Sequence, residues 1–291
     1  MRINERGGYR QSALVLGTAQ LGGAYGIANR TGVPGPEAIA RILATAREVG
    51  VTHLDTARAY GRSEQRIGAV EHGLSVITKV APGAPVRAGV AASRAALRPA
   101  GPLTILLHRA ADAADGWAEL RGCLASGEAD RIGVSVQSPD ELRRVLDLPD
   151  LGYVQLPCNI LDRRWLGVDL GGRPDLVVTA RSAYLQGLLV AGTAVSWPTM
   201  PDPVRDAMVA ILDKLAADLG REGRADLCIA YLLSLPWVTS VVVGAETEEQ
   251  LRANAALVDR EPLTDDDRDH VLASLPAELP LEFLDPSRWS R

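Results

Sequence analysis

The chain has 291 residues, of which 47% are hydrophobic and 23% are charged, and its formal net charge at pH 7 is −5. This length can bury a sizeable core, and the acidic balance argues against binding nucleic acid or an anionic membrane, because both need a basic surface. The three cysteines, Cys123, Cys158 and Cys228, are widely separated, match no metal-ligand spacing and cannot all pair. We therefore expect a reduced, cytoplasmic protein without a metal site, and the polar stretch 1–12 does not read as a secretory signal.

Short apolar runs rich in β-branched residues alternate with longer amphipathic stretches, without a linker or low-complexity break between them. The predicted strands are Ala13–Gly17, Val51–Asp55, Leu74–Thr78, Leu103–Leu107, Ile132–Val136, Tyr153–Leu156, Leu176–Ala180 and Ser240–Val243. The predicted helices are Pro36–Val49, Glu64–Glu71, Val86–Leu97, Gly116–Ser126, Pro139–Leu146, Val204–Leu219 and Thr247–Leu257. Several strands are continuous apolar runs, as a parallel sheet covered on its faces requires. The pattern indicates the α/β class, a TIM (β/α)8 barrel in a single domain of residues 1–291, with a C-terminal extension from about 260 to 291.

A doubly wound open sheet would show the same alternation of strands and helices. No G-x-G-x-x-G motif follows an early strand, because Gly22, Gly23 and Gly26 have the wrong spacing. This absence favours the barrel. The helix pattern is weakest between Leu156 and Leu176.

The uncharged stretch from Leu227 to Ala245 approaches the length that can span a bilayer. Pro236 interrupts it, and the spacing of the apolar residues changes from helical to a β-branched run at Val241–Val243. We therefore predict a buried helix followed by a buried strand rather than a membrane span.

Functional side chains of a barrel lie just past the carboxyl ends of its strands. Asp55 ends the second predicted strand and Tyr60 follows it, while Lys79 and His108 follow the third and fourth. We expect these four side chains to converge on one rim. Lys79 is one of only two lysines among the 31 basic residues, which indicates a need for a compact ammonium there.

These four residue types form a coherent chemical set. A phenol ionises near pH ~10, and a neighbouring ammonium stabilises the phenolate and eases proton exchange at neutral pH. Tyr60 is therefore a candidate general acid, with Lys79 tuning it, Asp55 holding Lys79, and His108 orienting a carbonyl oxygen. Each residue alone has a structural alternative: a turn cap for Asp55, a core position for His108, and a rim position for Tyr60 or Lys79.

The segment Leu54-Asp55-Thr56-Ala57-x-x-Tyr60-Gly61-x-Ser63-Glu64, with Lys79 and His108 at strand ends, resembles the aldo-keto reductases. The likeness runs along nearly the whole chain. It includes Leu16-Gly17-Thr18 at the first predicted strand, Gly133-Val134-Ser135 at the fifth, Val154-Gln155 at the sixth, Gly187-Leu188-Leu189 after the seventh and Val243-Gly244-Ala245 at the last.

The resemblance implies a nicotinamide-dependent oxidoreductase that interconverts a carbonyl group and an alcohol by hydride transfer, with Asp55, Tyr60, Lys79 and His108 as its tetrad. The substrate would be a small molecule, an aldehyde or ketone such as a sugar or a biosynthetic intermediate. The oligomeric state does not follow from the sequence. The cofactor-binding positions carried over by the resemblance are Gly17, Thr18, Ser135, Gln155, Arg181, Ser182, Tyr184, Gln186, Gly244, Gln250 and Asn254. Among them, Ser135 and Gln155 would bind the carboxamide, Tyr184 and Gln186 would lie near the pyrophosphate, and Gln250 and Asn254 near the adenosine.

The chain departs from the family pattern at three points. Val136 follows Ser135, where many relatives have asparagine. Arg181 occupies the position of an aromatic residue under the nicotinamide, so we expect it either to turn away or to favour the reduced cofactor. Glu246, Glu248 and Glu249 follow the last strand, where relatives have a basic residue for the 2′-phosphate. NADP(H) is implied by the family and NAD(H) by these carboxylates, unless they only form the acidic first turn of a helix. The choice stays open.

Aromatic residues in the loops above the rim are candidates for the substrate pocket: Tyr25, Trp165 and Trp197. The last residues, from Leu281 to Trp289, would also close over it. Two other functions remain open. One is a Schiff-base aldolase with Lys79 as nucleophile, and the other is a non-catalytic, nicotinamide-binding regulatory subunit.

Overall fold

The computed structural model describes residues 1–289, and its central feature is a closed barrel of parallel strands. A short antiparallel hairpin, β1 (Ile3–Arg6) and β2 (Tyr9–Ser12), precedes the barrel. The barrel strands are β3 (Leu14–Gly17), β4 (His53–Asp55), β5 (Ser75–Val80), β6 (Leu103–Leu107), β7 (Ala129–Ser135), β8 (Tyr153–Pro157), β9 (Val177–Arg181) and β10 (Ser240–Gly244). Their order around the barrel is the order in the chain, and β10 closes it against β3. The predicted TIM barrel is confirmed, with every predicted strand present.

The helices lie outside the barrel and follow its strands. They are α1 (Ala19–Gly22), α2 (Pro36–Glu48), α3 (Ser63–Ile67), α4 (Val86–Leu97), α5 (Ala113–Ala125), α6 (Pro139–Val145), α7 (Leu188–Ala191), α8 (Asp202–Asp218), α9 (Arg224–Ser234), α10 (Glu248–Val258), α11 (Asp265–Ser274) and α12 (Leu281–Leu284). The connection from β8 to β9, where the helix pattern is weakest, contains only a 3₁₀ turn at Arg163–Trp165. Residues Leu227 to Ala245 form the predicted helix and strand, as α9 and β10. None of the helices within residues 1–289 is long and apolar enough to cross a membrane.

The N-terminal hairpin closes the amino end of the barrel. Tyr9 packs with the residues inside the barrel, and its hydroxyl lies 2.6 Å from Thr104 Oγ1. Gln11 donates a hydrogen bond to the hydroxyl of Tyr153 at 3.1 Å. These buried polar contacts are satisfied within the barrel floor, so the open end is the carboxyl end of the strands.

Strand alternation determines which side chains reach the open end. Inside the barrel, one cluster includes Val15, Ile77, Leu106, Tyr153, Val177 and Val242. Side chains two residues apart point to the same face of a strand. The inward positions two residues further on are Gly17, Lys79, His108, Gln155, Thr179 and Gly244, and Arg181 follows Thr179 by another two residues on the same face of β9. The barrel mouth therefore combines small residues on β3 and β10 with polar side chains on the other strands.

Candidate active site

Lys79 and Asp55 form a buried ion pair at the carboxyl ends of the neighbouring strands β5 and β4. Lys79 Nζ lies 2.7 Å from Oδ1 and 2.8 Å from Oδ2 of Asp55, and it donates to the carbonyl oxygen of Thr56 at 3.0 Å. Lys79 is 1% exposed and Asp55 2%. A buried charge without a partner is strongly unfavourable, so each side chain depends on the other. The contacts also occupy the N–H donors of the ammonium.

Tyr60 lies on the loop between β4 and α3, and close contacts hold this loop in place. The backbone N–H of Tyr60 donates to the carbonyl oxygen of Ala57 at 3.0 Å, and Ser63 Oγ donates to the carbonyl oxygen of Thr18 at 2.9 Å. Gly22 approaches so closely that a Cβ atom there would lie 1.7 Å from the carbonyl oxygen of Tyr60. Only glycine fits at this position. This loop therefore fixes the position of the Tyr60 side chain at the barrel mouth.

The phenol ring of Tyr60 contacts both Lys79 and His108. Lys79 Nζ is 5.1 Å from the centroid of the ring. The ring of His108 stands edge-on to it, with 5.9 Å between the centroids and 85° between the planes. A cation at this distance interacts favourably with the face of an aromatic ring. The structure thus brings the four predicted tetrad residues together at one rim.

His108 is neutral at physiological pH. Burial lowers the pKa of its imidazole to about 3, and the positive charges of Lys79, Arg181 and Arg109 add to the effect. Its Nδ1 atom is buried and has no hydrogen-bond partner within residues 1–289. A neutral imidazole has one N–H donor and one acceptor nitrogen, so His108 can orient a bound oxygen through a hydrogen bond but is not an acid that protonates it.

A cavity of about 760 Å³ opens above these side chains. Besides the tetrad, the predicted residues that line it are Gly17, Thr18, Tyr25, Ser135, Arg181, Ser182, Tyr184, Gln186, Gly244, Gln250 and Asn254. Its lining therefore reaches from the barrel mouth to the first turns of α10. There the hydroxyl of Tyr184 donates to Asn254 Oδ1 at 2.8 Å. Arg181 lines the cavity and does not turn away from it.

Gln155 is the one predicted cofactor-binding residue that does not line the cavity. It is completely buried beneath the mouth, where its Nε2 atom donates to Asp55 Oδ1 at 2.8 Å. Its Oε1 atom is buried without a partner among residues 1–289. The amide therefore supports the ion pair of Asp55 and Lys79 from below.

The carboxylates that follow β10 differ in where they point. Glu248 accepts a hydrogen bond from Arg41 Nε at 2.7 Å, on the side of α2, and Glu249 is exposed and does not line the cavity. Glu246 lines the cavity and accepts from Thr31 Oγ1 at 3.1 Å. Arg252, the nearest cation in the sequence, is bound to the carboxylate of Glu48 at 2.7 and 3.0 Å. A carboxylate and no cation thus borders this end of the cavity among the described residues.

Two predictions for the substrate pocket are corrected by the structure. Trp165 is 1% exposed, donates from Nε1 to Asp162 Oδ2 at 3.2 Å, and does not line the cavity. Trp197 stacks on Phe283 with 5.5 Å between the ring centroids, and it is also absent from the lining. Both indoles are packed among other side chains, as large aromatic residues in loops often are.

Several cavity residues were missed by the sequence analysis. Gln20, Asn29 and Gln137 all line the cavity. Gln137 follows the fifth barrel strand by two residues, so its place near a strand end was a usable signal. Asp285 belongs to the expected C-terminal closing segment, of which Asp285, Pro286 and Ser287 line the cavity.

Comparison with known proteins agrees with this architecture. Residues 13–274 match the model of the aldo/keto reductase family. The aldo-keto reductase AKR11C1 from Bacillus halodurans in its holo form has a similar structure, with 22% identity, a TM-score of 0.76, and coverage of 98% of this chain and 100% of its own. PA4992 from Pseudomonas aeruginosa shows 20% identity and a TM-score of 0.65 over 88% of this chain and 94% of its own. No curated protein matches the sequence significantly. From the family match over most of its length, we conclude that the chain belongs to the aldo/keto reductase family.

Proposed function

We propose that the protein reduces a carbonyl compound to an alcohol, or runs the reverse reaction, with Tyr60 as the acid and base. The observation that carries the proposal is the position of Lys79, which is bound to Asp55 and lies 5.1 Å from the centroid of the Tyr60 ring. A phenol is too weak an acid to exchange protons readily at neutral pH unless its anion is stabilised. The buried ammonium supplies that stabilisation.

The lining of the cavity is compatible with a nicotinamide dinucleotide. Its volume of about 760 Å³ is in the range of small-molecule sites, and its walls carry amide and hydroxyl groups between the mouth and α10. Ser135 would lie at the nicotinamide, Tyr184 and Gln186 along the phosphates, and Gln250 and Asn254 at the adenosine. When bound, the cofactor supplies or accepts the hydride.

In the direction of reduction, the residues of the chain bind and orient the carbonyl oxygen. His108, as a neutral donor, holds that oxygen in place, and Tyr60 gives it a proton as charge develops on it. Lys79 stabilises the phenolate that Tyr60 becomes, and Asp55 keeps Lys79 charged. In the direction of oxidation, the same phenolate takes the proton from the alcohol.

Because His108 is neutral, it cannot replace Tyr60 as the acid. Lys79 is equally unsuited to the Schiff-base alternative, because a nucleophilic amine needs a free electron pair. Its Nζ atom instead donates to two carboxylate oxygens and one carbonyl, and the side chain is 1% exposed. A non-catalytic subunit would not need the tetrad in this arrangement. Both alternatives are therefore disfavoured.

The charges near α10 support NAD(H) as the cofactor. A free ribose hydroxyl can donate to a carboxylate, whereas a 2′-phosphate would be repelled by one. Glu246 is the carboxylate that lines this part of the cavity, and Arg252 is held by Glu48.

A screen of carbonyl compounds tests the function directly. The wild-type protein is mixed with NADH or NADPH and a panel of aldehydes, ketones and sugars, and the loss of cofactor fluorescence is followed. We expect oxidation of the cofactor with at least one compound. Binding of cofactor without turnover across the whole panel would favour the regulatory subunit instead.

A further inference from the structure

We propose that the carbonyl substrate carries an anionic group, a carboxylate or a phosphate, and that Arg181 binds it at the barrel mouth. This inference rests on the proposed function. It adds the chemical class of the substrate, and it assigns Arg181 to the substrate in place of the cofactor-binding role that the family resemblance implies.

The position of Arg181 follows from strand alternation. Arg181 is the last residue of β9, and Val177, four residues earlier on the same face, packs inside the barrel. The arginine side chain therefore extends from the inner face, and it lines the cavity. Strand β9 lies opposite β5 in the closed barrel, so Arg181 and Lys79 enter the mouth from opposite sides.

The two cations of the cavity differ in their partners. Lys79 is bound to Asp55, whereas Arg181 makes no ion pair within residues 1–289. Its Nη1 atom donates to Ser182 Oγ over 3.4 Å, which is long for a hydrogen bond. Other half-buried arginines of this chain have firm partners, either a carboxylate, as for Arg164 with Asp162, or a backbone carbonyl oxygen, as for Arg163 with Leu275.

The carboxylates that line the cavity are each engaged elsewhere. Asp55 is bound by Lys79, Glu246 accepts from Thr31, and Asp285 accepts from the backbone N–H of Ser287 at 3.0 Å. The guanidinium of Arg181 is therefore not paired with any of these carboxylates, and its planar set of N–H donors faces the partly enclosed cavity. This donor set matches a carboxylate or a phosphate in charge and geometry.

Arg181 lines the same cavity of about 760 Å³ as Tyr60 and His108, so a single small molecule can reach all three side chains. The guanidinium of Arg181 also contributes, after burial and Lys79, to lowering the pKa of His108. A molecule whose anionic group is bound by Arg181 must present its carbonyl oxygen to His108 and Tyr60. Short oxo acids and short phosphorylated aldehydes or ketones meet this condition.

Matched pairs of substrates test the inference. Succinic semialdehyde is compared with its methyl ester, and glyceraldehyde 3-phosphate with glyceraldehyde, so one arm tests the carboxylate and the other the phosphate. The quantity measured is the ratio of kcat/KM for the anionic compound to kcat/KM for its neutral partner. Effects of a mutation on the cofactor or on turnover cancel in this ratio.

We expect a ratio above about tenfold for the wild type in at least one arm, mainly through a lower KM. Arg181→Gln should lower that ratio by about tenfold or more, and Arg181→Lys should retain part of it. Arg109→Gln is the matched control, because Arg109 is exposed, does not line the cavity, and also acts on His108. Arg109→Gln should change the ratio by less than about twofold, because solvent and salt screen the interaction of an exposed charge with a distant group.

Other outcomes would overturn the inference and leave the proposed function intact. One is a wild-type ratio near unity in both arms. Another is a ratio that survives Arg181→Gln while the affinity for NADH falls, since Arg181 would then bind the cofactor phosphates. A reduction rate that survives Tyr60→Phe would count against the proposed function itself.

Discussion

Gln155 and Lys79 bind the same oxygen of Asp55. The amide Nε2 of Gln155 lies 2.8 Å from Asp55 Oδ1, and Lys79 Nζ lies 2.7 Å from the same atom. Two donors thus fix this carboxylate, and through it the ammonium that faces Tyr60. A hydrogen bond to a buried charged group contributes more than one between neutral groups, so the amide has a structural effect on the site.

Gln155→Met removes this donor while keeping the volume of the side chain. We expect the free energy of unfolding to fall by about 1–3 kcal/mol, because the buried carboxylate loses a hydrogen bond. Turnover should fall as well, since Lys79 is held less firmly. Urea unfolding and an NADH titration are the measurements. A variant that loses affinity for NADH without losing stability would instead assign Gln155 to the cofactor.

Lys79→Met should reduce kcat by about 10² or more, because the phenolate of Tyr60 loses the ammonium and Asp55 is left buried without its cation. Lys214→Met is the control, since Lys214 is the other lysine and its side chain is 74% exposed on α8. We expect normal kinetics for the control. If Lys79→Met folded and turned over at a near-normal rate, the role given to the ammonium would be wrong.

The pH dependence of kcat/KM should show no ionisation of His108 between pH 5 and 8. Burial and the neighbouring cations hold the pKa of this imidazole at about 3, so it stays neutral throughout this range. His108→Gln should lower kcat/KM and leave the shape of the profile unchanged. A rate change centred near pH 6.5 that disappears in this variant would contradict the prediction.

The stability of the protein should fall on acidification, partly because of two buried histidines. Burial lowers the pKa of His53 to about 4, and that of His108 to about 3, whereas a histidine in the unfolded chain ionises near pH 6.5. Below pH 6.5 the unfolded state therefore binds more protons than the folded state, and the free energy of unfolding decreases as pH falls towards 4. Each histidine contributes a slope of up to about 1.4 kcal/mol per pH unit. Urea titrations between pH 7 and 5 should show a shallower slope for His53→Gln, and equal slopes would refute this account.

Cofactor choice should follow the charge of Glu246. We expect NADH to bind at least about tenfold more tightly than NADPH in fluorescence titrations, because a 2′-phosphate would lie near this carboxylate. Glu246→Arg should narrow or reverse the preference. Glu249→Arg, an exposed change outside the cavity, should have a much smaller effect. A tenfold wild-type preference for NADPH would exclude the charge argument.

The barrel strands were predictable because their apolar runs are short and continuous, whereas the helices are longer and amphipathic. The residues at the ends of the strands were also predictable. Side chains alternate between the two faces of a strand, and this alternation places Asp55 and Lys79 at the barrel mouth. The N-terminal hairpin was not predicted, because its strands have four residues each and mix charged with apolar side chains.

Contacts between distant parts of the chain limited the prediction of the site. Trp197 was expected in the substrate pocket from its place in a loop, but it packs against Phe283 near the C-terminus. The amide of Gln155 lies beneath the mouth, bound to a residue 100 positions away in the chain. Local patterns in the sequence carry no information about such partners.

The most direct test of the account is the rate of Tyr60→Phe on a substrate of the wild-type protein, measured beside its affinity for NADH. Tyr231→Phe, a buried phenol on α9 outside the cavity, is the control for the loss of a hydroxyl group. If Tyr60 supplies the proton, Tyr60→Phe loses about 10² or more in kcat and still binds NADH, while the control stays active. Turnover of Tyr60→Phe at the wild-type rate would contradict the account.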